Sequence, residues 1–581
     1  MIWHTNHKKD SMKTDALLTP KKETTKAPQE GQTKTLMDLL RLYWQQYCEK
    51  STIHGVRYIY DPTLRSIESI QSKLLLILIW TALVITCVAL TCIAYGMLAE
   101  RYSAQKLQTV VDNSQYPVFQ IPFPAVGVCP NNRINWNKFE AAKAEFLPRP
   151  AEPNVVEVFT TFVERMESLV FGQFESFAEM DDINLELLDD IDVSNLTKFM
   201  SLRCEDIFVN GTCSWRRVAF DCCSFFIMER TELGYCFVFN SIMTPESLAL
   251  KEVAGSKYYP YHNSKAGQGS GLLFQVKLTA DMKKPNSKID DTIMILIKRP
   301  EQLSSSGYTI SPDTETYVIV RPEVTVSSKD IRSLSQEQRN CFFEDENILP
   351  NYKKQPNIDR NVVMNNCLNV CHEEHLRRYC NCTLPLFFLT ADSSAEQCRP
   401  SHFRCLGKNN EIFSYDKRSE EDAYFSSAKP GMTCSCLIPC NIVEYYTSLT
   451  TLPLNSGANT TIDQFYKVDV HYQSEVVIKY RTSLEFTSID LIANFGGIFG
   501  LCLGASMVSA VELLYYLTFG LGLYLYDNNY YTILKQRIHE LRKKWATGIR
   551  DTLNEDYEDR ASIKRKPSFI PKRPPSKNNQ W

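Results

Sequence analysis

The stretch Leu491–Tyr526, LIANFGGIFGLCLGASMVSAVELLYYLTFGLGLYLY, decides the fold. It runs for 36 residues and carries one charge, Glu512. A straight helix of that length, at ~1.5 Å per residue, would measure ~54 Å against a bilayer core of ~30 Å. Such a segment must tilt steeply, protrude or break. Composition points to a break, because Gly496, Gly497, Gly500 and Gly504 precede Ala505 and Ser506. Unwound backbone is not tolerated against lipid, but it is tolerated where it lines a protein-enclosed pore. Small residues also let helices of neighbouring subunits approach closely.

Working outward, a second apolar run lies at Leu74–Leu98, LLLILIWTALVITCVALTCIAYGML, 25 residues without Asp, Glu, Lys, Arg or His. A buried core helix would keep a polar stripe. A signal peptide would be shorter and would not follow 73 residues of chain. Two spans fix a topology. Arg57, Arg65 and Lys73 precede the first, and Lys535, Arg537, Arg542, Lys543 and Lys544 follow the second. The inner flanks are poorer, with Arg101 and Lys106 on one side and Lys479 and Arg481 on the other. The positive-inside rule puts both tails in the cytoplasm. The expected parts are a cytoplasmic tail 1–73, a span 74–98, an extracellular segment 99–490, a span 491–526 and a cytoplasmic tail 527–581.

Whole-chain averages mask this layout. The chain has 581 residues, 44% hydrophobic and 23% charged, with net charge −3 and mean hydropathy −0.26. With 64 basic against 67 acidic residues there is no basic bias, and no nucleic-acid partner is expected. A mean hydropathy below zero excludes a transporter of many spans.

Sixteen of the 20 cysteines lie between the spans, an even number that reads as up to eight disulfides in an oxidising compartment. N-x-S/T triplets at Asn195, Asn210, Asn381 and Asn459, candidate glycosylation sites, fall in the same segment. Asn381 sits between Cys380 and Cys382, a crowded position. The C-x3-C-x8-C-x-C run with His372 and His375 tempts a metal reading. Oxidised thiols and the wrong spacing argue against it, so no metal and no cofactor are expected. His372–His375, HEEH, is read as a solvated helix face. Apolar residues at helical spacing among many acids over Asn154–Phe208 predict acidic helices projecting into water. These form either a plain solvated face or a cation- or proton-sensing one. Strands are expected at Gly271–Leu278, Thr292–Ile297, Tyr317–Val326 and, as one alternation, Tyr466–Phe486. Gly267, Gly269 and Gly271 read as a turn. Leu36–Cys48 reads as a helix, the first ~35 residues as disordered, and the basic C-terminal tail as solvated or drawn to anionic lipid. No catalytic constellation stands out, so the chain is not expected to be an enzyme.

Several segments together resemble one family. Asn494–Tyr516, NFGGIFGLCLGASMVSAVELLYY, Phe123–Asn132, FPAVGVCPNN, Gly234–Asn240, GYCFVFN, and Cys434–Cys440, CSCLIPC, are similar in sequence and order to the degenerin/epithelial sodium channel superfamily. So is the His54-Gly55 pair before the first span. The Gln338-Arg339-x-Cys341 run, without a Trp before Cys341, looks most like the insect pickpocket branch, which weakens the case for direct proton gating. The resemblance covers about residues 50 to 530.

It implies a two-span α-helical membrane protein with a large disulfide-rich α+β extracellular domain, assembled as a trimeric channel. The implied activity is passage of Na+ across the plasma membrane, amiloride-sensitive and voltage-independent, gated through the extracellular domain. The implied partners are Na+ ions, the lipid bilayer and related subunits in a homo- or heterotrimer. Gly504, Ala505 and Ser506 match the selectivity tract. Glu512 matches the acid two turns below it, and Asp490 would act similarly at the outer mouth. Gly500 falls on the blocker-binding position and Ala493 on the position where bulk holds such channels open. His54 and Gly55 match the gating motif of a re-entrant loop. The implied disulfides are Cys129–Cys236, Cys341–Cys440, Cys367–Cys436, Cys371–Cys434, Cys380–Cys405 and Cys382–Cys398. The pairing of Cys204, Cys213, Cys222 and Cys223 stays open. The rival readings are an accessory subunit needing related partners, an ATP-gated type of trimeric cation channel, and a two-span receptor or ectoenzyme.

Overall fold

The computed structural model describes residues 36–59, 70–180, 182–253, 259–303, 307–346, 366–388, 396–417, 430–454 and 463–527, with part of 535–545. Asn459, Asp181, the first 35 residues and the end of the C-terminal tail lie outside the described residues. The chain forms two compact units. Met1–Ser103 and Ser488–Trp581 make a membrane unit, and Ala104–Thr487 make the other.

In the membrane unit the first span is one helix, Ile70–Ser103. It outruns the apolar stretch by about a turn at each end, because Gln71, Lys73, Glu100 and Arg101 are good helix formers. The second span breaks, as its glycines suggest. A helix Ser488–Leu503 ends at Gly504, and a second helix starts at Met507 and runs to Tyr515. A π turn, Tyr516–Gly520, and a last helix, Leu521–Asp527, complete it. Ser488–Leu503 packs on the first span, with the Tyr95 ring edge-on to Phe495 at 5.5 Å. Leu78, Ile85, Met507 and Phe519 stay more than half exposed, as a lipid-facing surface requires. The protein is therefore a two-span membrane protein. Before the first span, Leu36–Lys50 is a helix whose Leu39, Tyr43 and Tyr47, four residues apart, are buried on one face.

The other unit is α+β. Its larger sheet has eight strands. The central strand is Thr314–Ser327, whose alternating Val318, Val320 and Val324 are buried. One edge of it pairs antiparallel with Ile442–Pro453. The other edge pairs in parallel first with Gln464–Tyr472, then with Val476–Leu484. The expected single strand Tyr466–Phe486 is thus interrupted at the polar Gln473–Glu475 and continues in the same direction. Leu107–Pro117 pairs antiparallel with Val476–Leu484, Leu107 opposite Leu484. Leu272–Leu278 lies beyond Gln464–Tyr472, and the preceding Gly267 and Gly269 have positive φ, as a tight turn needs. A five-stranded antiparallel sheet orders Ile227–Thr231, Gly234–Phe239, Ala125–Pro130, Ile293–Lys298 and Gly307–Ile310. One core fills the space between the sheets around Phe123, Phe237, Phe274 and Tyr466. A second is aromatic and helical, around Phe159, Phe162, Phe177 and Phe403.

Eight disulfides brace this unit. Six are the pairs that the resemblance implies. The four cysteines left open pair as Cys204–Cys223 and Cys213–Cys222. The helix Cys367–Cys380 carries Cys367, Cys371 and Cys380, which tie it to Cys436, Cys434 and Cys405.

Two surface expectations are corrected. The HEEH stretch is not a solvated face: His372 and Glu373 are buried. The cystine Cys371–Cys434 draws that side of the helix inward. There His372 Nδ1 meets Glu232 Oε1 at 2.8 Å, Nε2 meets Asp416 Oδ1 at 2.9 Å, and the ring stacks on Phe171. Burial pushes the imidazole toward neutrality, but the hydrogen bonds to Asp416 and then Glu232 outweigh it and raise the pKa to about 9. Nor do all the acids of 154–208 project into water. Glu167 is buried and accepts from Ser287 Oγ at 3.0 Å, and Asp189 accepts from the Ser401 amide and hydroxyl. Cys371, His375 and Cys434 converge closely enough for a metal, as do His372, Asp416 and Cys434. Both sets spend their sulfurs in the Cys371–Cys434 disulfide, which leaves no thiolate to ligate.

Candidate functional site

The break at Gly504–Ser506 is built by its sequence. Gly504 sits at φ +60, a left-handed position where a residue with a Cβ is strained. Its amide still donates to the Gly500 carbonyl at 3.0 Å, and the Ala505 amide reaches the Phe499 carbonyl at 3.3 Å. Ser506 then caps the next helix. Its Oγ accepts from the Ser509 amide, and Ser509 Oγ accepts from the Ser506 amide at 3.1 Å. The C-terminal end of one helix therefore faces the N-terminal end of another across three unwound residues. The first end carries partial negative charge, the kind of terminus that attracts cations.

The segment Ser51–Gly55 lies against this break. The His54 amide donates to the Leu503 carbonyl at 2.9 Å. A Cβ on Gly504 would fall 2.2 Å from His54 Nδ1, so only glycine admits the imidazole. Gly55 has φ +86 and lies where a Cβ would come within 2.8 Å of Val84 Cγ2 on the first span. A following turn, Val56–Ile59, is held by Tyr58 stacked on Trp80 at 4.5 Å. Thr52 reaches below the break. Its hydroxyl lies 2.9 Å from Ser509 Oγ and donates to Glu512 Oε2 at 2.7 Å. Glu512 is thus a partnered acid one turn inside the lower helix.

Other predicted positions stand apart. Asp490, Ala493 and Gly500 are exposed along Ser488–Leu503, and side chains at Gly496, Gly497 and Gly500 would meet open space. Asn195, Asn210 and Asn381 are exposed on the other unit. Sequence reasoning missed Thr52, Ser509 and Tyr43. The spacing Ser506-x-x-Ser509 at a helix start was a usable signal for the cap. Nothing local marked Thr52 or Tyr43, whose partners are more than 450 positions away.

Comparison with known proteins places the chain. The profile of the family described as "Amiloride-sensitive sodium channel" matches residues 47–516. Pickpocket protein 19 of Drosophila melanogaster is 34% identical over 472 residues, covering 80% of this chain and 88% of that protein. Sodium channel protein Nach of the same fly is 24% identical over 505 residues, 82% of this chain and 87% of that protein. Degenerin del-1 of Caenorhabditis elegans is 23% identical over 314 residues, 50% of this chain and 41% of that protein. The matched span takes in the His54-Gly55 loop, the cystine-braced unit and the break, and the chain belongs to the amiloride-sensitive sodium channel family, whose members are ion channels and not enzymes.

Proposed function

We propose that the chain is a subunit of a sodium-selective, amiloride-sensitive, voltage-independent cation channel, gated through the Ala104–Thr487 unit. It acts in the plasma membrane with both termini cytoplasmic, as a trimer of this chain or with related subunits. The observation that carries the reading is the break at Gly504–Ser506, with the His54-Gly55 loop against it and Glu512 below it. Three such breaks around an axis would ring a cation with backbone oxygens in place of part of its hydration shell. An acid within a span is costly unless it faces water or a partner. Glu512 has one partner in Thr52 and would concentrate cations beneath the ring; Asp490 would do so above it. The open sides of Gly496, Gly497 and Gly500 would suit close contact with another subunit and, at Gly500, a blocker. The exposed Asn195, Asn210 and Asn381, together with Asn459, would carry glycans.

The test is Ala493→Val, expressed in oocytes alone or with related subunits. A constitutive sodium current blocked by amiloride is expected. Good surface expression without current in every combination sinks the channel reading. Glu512→Gln should lower unitary conductance, and an unchanged value would remove Glu512 from the conduction path.

A further inference from the structure

The lower part of the second span contains a feature that conduction alone does not require. Tyr516–Gly520 is π-wound, accommodating one residue more than an α turn. Here the N-terminal helix Leu36–Lys50 meets the span. The Tyr43 hydroxyl donates to the Tyr516 carbonyl at 2.6 Å, inside the π turn. Its ring lies 4.9 Å from that of Tyr524, and the Tyr47 ring lies 5.1 Å from that of Tyr516. Gly520 admits the hydroxyl, since a Cβ there would fall 2.6 Å from it. The same N-terminal segment then touches the span at two further heights, Thr52 on Ser509 and Glu512 and His54 on Leu503.

A π turn is normally unfavourable, so it persists where something holds it. Relaxing it to α winding would re-phase the helix on one side by one residue, about 100°. Glu512 lies only one turn above the π segment. With Leu521–Asp527 held by the ring contact of Tyr43 with Tyr524, the rotation falls on Met507–Tyr515 and swings Glu512 off Thr52.

We propose that the Tyr43 hydroxyl and the bare Cα of Gly520 lock the second span in its π form, and that this winding aims Glu512 at Thr52. Tyr43 is then a positioning residue for the conduction path. This rests on the channel reading given above.

The test uses the full chain in oocytes, with the subunit combination that conducts. Tyr43→Phe keeps the ring contacts and removes only the donor, which shifts the π-to-α balance by about fivefold, the weight of one hydrogen bond. Unitary sodium conductance should fall in Tyr43→Phe and in Gly520→Ala, toward the Glu512→Gln value. Tyr43→Phe should add nothing on a Glu512→Gln background. Deleting Thr518 removes the extra residue and leaves both flanks in phase in plain α winding. That deletion should conduct like the wild type and should abolish the effect of Tyr43→Phe. A Tyr43→Phe channel of wild-type conductance overturns the lock while leaving the channel reading intact. So does an effect additive to Glu512→Gln, or a loss of conductance or surface expression that the deletion fails to rescue. A wild-type chain silent in every combination counts against the channel reading instead.

Discussion

Gly504 shows what a single residue decides. Its φ of +60 strains any residue with a Cβ, and the 2.2 Å separation between a built Cβ and His54 Nδ1 leaves no room for one while the imidazole stays in place. Gly504→Ala should cost about 1–2 kcal/mol in backbone strain alone and displace the imidazole as well. The expected outcome is loss of sodium current at unchanged surface labelling; a wild-type current would mean that the loop does not need to sit there. The glycine was legible in the sequence from its place in the Gly-Ala-Ser tract. Its reason was not, because His54 lies 450 positions earlier and no local pattern links them. The reverse holds for Thr52. It looked like an ordinary polar residue before a weak motif, and only the fold gives it Glu512.

At the scale of elements, the helix Cys367–Cys380 was half legible. That His372–His375 lies on a helix and the spacing of its cysteines could be read, but its bounds and its buried face could not, because that face is polar and its partners Glu232 and Asp416 come from distant strands and turns. Apolar periodicity finds a face that buries hydrocarbon, and it is blind to one that buries an ion cluster. The pH consequence follows from His372, whose pKa rises from 6.5 to about 9 on folding. Its stabilising contribution is complete below pH 6.5 and is lost as pH rises through about 9. It amounts to ~3 kcal/mol at most, and to less because Asp416 is half exposed. The melting temperature of the solubilised protein should therefore fall between pH 7 and pH 10, and His372→Gln should flatten that fall. Equal slopes in the two proteins would refute the assignment.

At the scale of the whole molecule, both spans and the break could be anticipated because lipid constrains sequence strongly, and the even cysteine count pointed to disulfides, but six of the pairings came only from the family resemblance. The interrupted strand at Gln473–Glu475 and the Cys204–Cys223 and Cys213–Cys222 pairs could not, since four clustered cysteines admit three pairings. Every cysteine between residues 104 and 487 is paired, while Cys48, Cys87, Cys92 and Cys502 are free. Denatured, non-reduced protein should titrate four thiols per chain, and a fifth would mean an open cystine. The trimer proposed above predicts that cross-linking in the membrane stops at three chains, and a ladder ending at two or four would refute it.

The pairing of Leu107 with Leu484, extended by the Glu485 amide donating to the Lys106 carbonyl at 2.8 Å, brings the entrance and the exit of the Ala104–Thr487 unit side by side. The unit is therefore a closed cassette inserted between two helices. Its ends are already joined by main-chain bonds, so no loop entropy remains to be lost in closing it. A cassette whose ends meet in this way should be exchangeable between subunits of the family at those two residues, and a chimera joined there should reach the surface with its eight cystines formed.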